Sequence, residues 1–267
     1  MFASLGMYDL PELTAATDAW WAGLSRHFAA QGLRDLPETL NRSGDPVERL
    51  KAEGLIFAQT CGFPLTHRLK DHVQLLATPR YRVPGCAAAT YVSWIVVRSD
   101  DPAKTPADLR GHRVAFNDDG SQSGYNTLRA LIAPHAASGK FFGAAIESGA
   151  HRKSMAMVKA GQADVAAIDC VTFALIARYA PAEVQGIRVL CAGSTAPGLP
   201  YVTATSTSER DVQRLRDAIR AAFEDPALAE TRAALRLDGC EILPPSAYDV
   251  IPKMEVAAIA AGYPQLA

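Results

Sequence analysis

Two rhythms of apolar residues alternate along the chain. Short runs that are apolar throughout or at every other position are each followed by a stretch in which apolar residues recur every three or four positions. A first strand is predicted over 3–8, and Pro11 opens a helix whose Leu13, Thr17, Trp20, Leu24 and Phe28 share one face. A short strand over 36–40 and a short helix over 47–52, stopped by Gly54, lead to the unbroken run Leu55-Ile56-Phe57-Ala58, of the kind buried in a parallel sheet. Residues 60–64 turn into another short helix, and 73–78 form the next strand. The alternation continues with strands over 91–98 and 113–116, a helix over 121–132 ended by Pro134, and a strand over 144–147. A helix over 152–160 capped by Gly161, a strand over 164–168, a helix over 170–179 and strands over 189–192 and 201–205 follow. Two helical patterns close the chain, one through Val212, Leu215, Ile219 and Phe223, the other over 246–261.

Strand and helix in alternation predict an α/β protein with parallel sheets covered on both faces, and such sheets carry ligands in the loops at the carboxyl ends of their strands. Segments 82–90 and 193–200, rich in Gly, Pro, Ala and Ser, bracket a middle block of small-domain size. The expected organisation is a discontinuous first lobe, 1–88 with 198–267, and a second lobe, 89–197, joined by two crossovers with a ligand cleft between them.

Composition narrows the class of partner. The 267 residues include 27 basic and 28 acidic side chains, giving a formal net charge of -1, and no basic stripe suited to nucleic acid or an anionic membrane. A small molecule is the expected partner. No apolar run approaches the roughly 20 residues that span a bilayer, and the first residues lack a basic segment, a long apolar segment and a cleavage site. Read alone, this describes a cytosolic chain or one whose export signal has been removed. Cys61, Cys86, Cys170, Cys191 and Cys240 are odd in number and widely spaced, which supports neither a disulfide framework nor a zinc site. They read as small buried residues, one pair of which could be bridged in an exported protein. No cofactor or metal is called for.

The chemistry concentrates in Asn117-Asp118-Asp119-Gly120-Ser121-Gln122-Ser123-Gly124-Tyr125-Asn126, between a strand and a helix. A nucleotide phosphate loop needs Lys and then Ser or Thr after its last glycine, where Tyr125 and Asn126 stand. A dinucleotide fingerprint fails on glycine spacing, and a nucleophile elbow fails because Gln122 occupies the place of the nucleophile. What survives is a helix start. Ser121 is a good N-cap, and first-turn amides with the Ser121 and Ser123 hydroxyls can donate to an anionic oxygen.

Residues 108–124, from Asp108-Leu109-Arg110-Gly111 to Ser121-Gln122-Ser123-Gly124, resemble the phosphate/phosphonate solute-binding proteins of ABC importers. So do Ser148-Gly149-Ala150-His151-Arg152 and the run from Ala160-Gly161-Gln162 to Ile168-Asp169. The resemblance implies the type II periplasmic-binding-protein fold, two α/β lobes joined by two hinge strands. It implies a small oxyanion as ligand, no catalysis, a membrane subunit of a transporter as partner, a monomer, and a periplasmic location. It carries the anion-holding helix start onto Ser121, Gln122, Ser123 and Gly124, with Gln122 a variation where relatives have Ser or Thr. A polar ligand contact falls on His151, and Asp169 falls where an acidic residue can meet a ligand amine. Tyr8, Cys61 and Gly62 in the first lobe and Tyr91 at the first hinge are matched by position. Each has a plainer reading: Asp169 as a cap of the following helix, His151 as a donor to a nearby carbonyl, the tyrosines as strand aromatics. Two other functions fit the same fold. One is an enzyme with Cys61 or Cys170 as nucleophile and His151 as base; the other is a cytosolic ligand sensor.

Overall fold

The computed structural model describes residues 1–267 as two compact α/β units. The first comprises Met1–Arg82 and Pro197–Ala247, the second Val83–Ala196 and Tyr248–Ala267. The chain thus changes unit after Arg82, Ala196 and Ala247. The first two passages fall close to the expected ones, but residues 248–267, expected in the first lobe, belong to the second. Ala258, Tyr263 and Leu266 are buried in the second unit's core beside Leu128, Ile132 and Phe141, and that burial decides where the tail sits.

In the first unit a five-stranded sheet runs in the order Phe2–Ser4, Leu55–Gln59, Tyr201–Ala204, Val73–Tyr81, Leu237–Glu241. Leu55–Gln59 is buried at every position, as its unbroken apolar run requires. The helix Thr14–Ala30 presses its apolar face on that sheet: Trp21 and Phe28 lie with ring centroids 6.0 and 5.4 Å from Phe57, and Trp20 Nε1 donates to the Tyr201 hydroxyl at 3.1 Å. Gly23 in that helix permits a close approach, since a Cβ there would stand 2.6 Å from the Leu228 methyls.

The second unit's sheet runs Ile187–Ala192, Ser93–Arg98, Val165–Asp169, Arg113–Phe116, Ala144–Glu147. The last three strands are mutually parallel. Ser93–Arg98 runs against both of its neighbours, and in the first unit Tyr201–Ala204 does the same. The sheets are therefore mixed, where alternation alone predicted parallel ones. Each antiparallel strand named is one the chain enters soon after changing unit, so it arrives without the helical crossover that ties alternation to parallel pairing.

Smaller differences have local causes. Residues 36–40 form no strand; Pro37 offers its carbonyl to Trp21 Nε1 rather than to a ladder. The first strand stops at Ser4. A short hairpin, Cys86–Ala87 with Thr90–Tyr91, the helix Ala229–Leu235 and the strand Leu237–Glu241 escape the periodicity. Leu237–Glu241 pairs with a register shift next to Gly239, which breaks its alternation.

Candidate functional site

Strand Arg113–Phe116 delivers Asn117 to the carboxyl edge of the second unit's sheet, and the chain then turns, Gly120 N donating to Asp118 Oδ1 at 2.8 Å. Ser121 follows as N-cap with extended backbone, its Oγ accepting from Gly124 N at 3.0 Å. The turn it caps, Gln122–Asn126, is a π-helix: Asn126 N donates to the Ser121 carbonyl at 2.9 Å, five residues back, before the chain tightens into the α-helix Thr127–Ile132. The main-chain N–H groups of Gln122 and Ser123 meet no acceptor in the protein. With the positive end of the helix behind them, they form a donor set for an anionic oxygen.

His151 is the first residue of the helix His151–Lys159, reached through Ser148-Gly149-Ala150. Its Nε2 lies 2.9 Å from Ser123 Oγ. Burial lowers its pKa to about 4, partly offset by the Ala167 backbone, so the ring is neutral at ordinary pH. The Ser123–His151 bond runs in the direction the ring tautomer sets: where Nε2 carries the proton it donates to Ser123 and leaves the serine's own proton for an oxyanion, and where Nδ1 carries it Nε2 accepts from the serine. The two elements meet across Gly124, where a Cβ would stand 1.7 Å from Asn117 Oδ1 and 3.2 Å from His151 Cε1. Only glycine lets the π-turn lie against both side chains.

Ser121, Ser123, Gly124 and His151, four of the residues named from the sequence, are thus brought together. Gln122 joins them through its main-chain N–H alone: its side chain is fully buried and turned inward, Nε2 donating to Thr127 Oγ1 at 3.0 Å and Met254 Sδ at 3.4 Å, while Oε1 accepts from Asn126 Nδ2 at 2.7 Å. Its departure from Ser or Thr leaves the anion-facing surface unaltered and fastens the turn from behind. Asp169 is the N-cap of the helix Cys170–Tyr179, Oδ1 accepting from Val171 N and Thr172 N at 2.8 and 3.0 Å, the plainer of its two readings. Tyr91 is buried in the short hairpin. Tyr8, Cys61 and Gly62 lie in the first unit. Tyr8 packs edge-on against Tyr81 at 5.0 Å beside a cavity of about 20 Å³, and Cys61 is the N-cap of the short helix Gly62–Thr66.

Two residues of this face escaped sequence reasoning. Asn117 Oδ1 and Ser93 Oγ are buried and accept no hydrogen bond, and Ser93 pairs in register with Asp169. The signal was present in the letters, because each is a polar residue bordering an apolar strand run, Ser93 before Trp94-Ile95-Val96-Val97 and Asn117 after Val114-Ala115-Phe116.

The tail supplies the support. Asn126 Nδ2 donates to the Ile251 carbonyl at 3.1 Å, Leu266 N donates to the Tyr125 hydroxyl at 3.2 Å, and Arg129 reaches both Glu255 at 3.0 Å and the Pro264 carbonyl at 2.8 Å. The π-turn is therefore held by groups more than a hundred residues away in sequence.

Cys170 is not set up as an activated nucleophile. Cys170 lies 3.6 Å from Cys86, sulfur to sulfur, and its pKa is driven up by that shared hydrogen bond and by burial, the reverse of an activated nucleophile. His151 is engaged with Ser123 instead.

The histidine makes stability depend on pH. Folded His151 resists protonation down to about pH 4, whereas the unfolded residue takes a proton near 6.5. The stability tied to the neutral ring is complete above pH 6.5 and is lost as pH falls toward 4, by at most about 3 kcal/mol. Urea unfolding followed between those limits should show this decline in the parent and a shallower one in His151→Gln. Equal slopes would contradict the assignment.

Comparison with known proteins adds the following. The profile of the family described as "ABC transporter, phosphonate, periplasmic substrate-binding protein" matches residues 34–248. A search of curated protein sequences finds no match. Among solved structures, a binding protein component of an ABC phosphonate transporter from Pseudomonas aeruginosa is similar with TM-score 0.78 at 13% identity, over 98% of this chain and 87% of that one. A Prochlorococcus marinus protein solved in complex with methylphosphonate gives TM-score 0.73 at 14% identity, over 96% and 97% of the two chains. A Xanthomonas citri protein solved with chloride gives 0.74 at 15% identity, over 98% of each. At such identities these likenesses show a shared fold, that of periplasmic binding proteins.

Proposed function

We propose, because this chain belongs to the family of phosphonate periplasmic substrate-binding proteins of ABC transporters, that its ligand is a small phosphonate or phosphate-type oxyanion held at the Ser121–Gly124 helix start. One observation carries the placement: Ser123 Oγ, backed at 2.9 Å by a neutral His151, stands beside two first-turn amides without acceptors. Uncharged donors at a helix start favour a tetrahedral oxyanion without a cationic side chain. The Ser121 hydroxyl, whose oxygen already accepts from Gly124 N, has its proton left to donate. The protein carries out no reaction on the ligand. As a monomer in the periplasm it delivers the ligand to the transporter's membrane subunit, and no helix of the chain is long and apolar enough to cross a membrane itself.

Titration calorimetry against methylphosphonate, an aminoalkylphosphonate, inorganic phosphate and acetate tests this reading. Saturable one-to-one binding of at least one phosphorus oxyanion, with acetate silent, is expected. Absence of binding by all three phosphorus compounds to protein freed of co-purified ligand would overturn it.

A further inference from the structure

A thiol pair in the second unit stands apart from the oxyanion site. Cys86 Sγ and Cys170 Sγ are 3.6 Å apart although 84 residues separate them in sequence. Cys86 opens the short hairpin Cys86–Ala87 with Thr90–Tyr91, and Cys170 is the first residue of the helix Cys170–Tyr179, capped by Asp169. The approach is built by the backbone. Gly85, at φ +93°, comes so close to the helix start that a Cβ on it would lie 2.9 Å from Cys170 Cβ and 2.7 Å from the Trp94 ring. Val92 ties both sides together, its N–H donating to the Gly85 carbonyl at 3.0 Å and its carbonyl accepting from Cys170 N at 3.2 Å. The pair is held before any bond forms between the sulfurs. Cys170 is buried, whereas Cys86 is half-exposed and open to a reagent from solution.

We propose that Cys86 and Cys170 form a disulfide that clips the hairpin to this helix when the protein meets a disulfide oxidant. The sulfurs need to close by about 1.5 Å to reach bonding distance, a movement within reach of side-chain rotation. The Cys86 thiolate attacks a disulfide of the oxidant, forming a mixed disulfide and releasing one thiol. The Cys170 thiolate then displaces the second thiol. Two cysteine thiols are oxidised, one small disulfide is reduced to two thiols, and the protein loses two hydrogen atoms. An oxidising compartment such as the periplasm supplies oxidants of this class. The other three cysteines, Cys61, Cys191 and Cys240, take no part in this bond and keep their thiols. The clip closes a loop of more than eighty residues, so it restricts the unfolded chain strongly.

The purified full-length chain, incubated with oxidised glutathione and digested without reduction, should yield a peptide linking Cys86 to Cys170. In denaturant, two of the five thiols should no longer titrate. Tm should rise by about 5–10 °C and return on addition of dithiothreitol. Cys86→Ser, which leaves the buried Cys170 in place, should abolish the cross-link and the rise. The proposal is overturned if all five thiols persist, if only glutathione adducts form, if other cysteines are linked, or if the rise survives in Cys86→Ser.

Discussion

Replacing Ser121 and Ser123 together with alanine is expected to weaken methylphosphonate binding about a hundredfold or more. Each hydroxyl donates to a charged oxygen in the proposed complex, and such a bond contributes about 1.5–3 kcal/mol where it exchanges with water. Two lost bonds therefore correspond to at least two decades in Kd. The single variants should divide the effect in a way that a purely structural role would not. Ser121→Ala also removes the acceptor of Gly124 N, costing about 1 kcal/mol of helix-cap stability, so its Tm should fall along with its affinity. Ser123→Ala leaves the cap intact and removes the partner of His151, so affinity should fall with a much smaller change in Tm. Calorimetry and thermal unfolding on the three variants decide the matter. A double variant that binds like the parent would reduce the loop to an ordinary helix cap.

That experiment turns on residues visible in the sequence, and it is informative which others were not. The serines, Gly124 and His151 were legible because a helix start after a strand obeys local rules: a capping hydroxyl, a turn, small residues, and a strand that ends at the sheet's carboxyl edge. The inward turn of the Gln122 side chain was not legible, for a reason equally physical. Whether a first-turn side chain faces the ligand or the interior depends on what packs behind the turn, and here that is Met254, Thr127 and Asn126. The helical rhythm over 246–261 announced a helix without saying which core it joins. Asp169 illustrates the same limit, since a carboxylate at a strand end serves a cap and a ligand with the same letters, and only the amides of Val171 and Thr172 distinguish the two. Antiparallel strands entered after a change of unit were hidden because alternation records the order of elements but not their direction.

The tail's attachment leads to the largest expected stability effect, that of Arg129→Met. The Arg129 side chain is 5% exposed and spans the helix behind the π-turn and the last twenty residues. It donates to Asn126 Oδ1 at 2.7 Å, Glu255 Oε1 at 3.0 Å and the Pro264 carbonyl at 2.8 Å, with its guanidinium 5.5 Å from the Tyr125 ring centroid. Methionine keeps the apolar stem and removes all three bonds, leaving the Glu255 carboxylate without this counter-charge. Breaking a fully buried ion pair costs about 3–5 kcal/mol, and Glu255, 24% exposed, recovers part of that from water. A loss of about 2–4 kcal/mol follows, which for a chain of this size lowers Tm by roughly 5–15 °C. Glu255→Gln keeps an acceptor for Arg129 and should cost less than half as much. Affinity for methylphosphonate should fall as well, because Asn126 and Gln122 hold the π-turn's shape through the same network. If Arg129→Met unfolds within a degree or two of the parent, the tail is not what fastens the site. The turn would then owe its geometry to Ser121 and Gly124 alone.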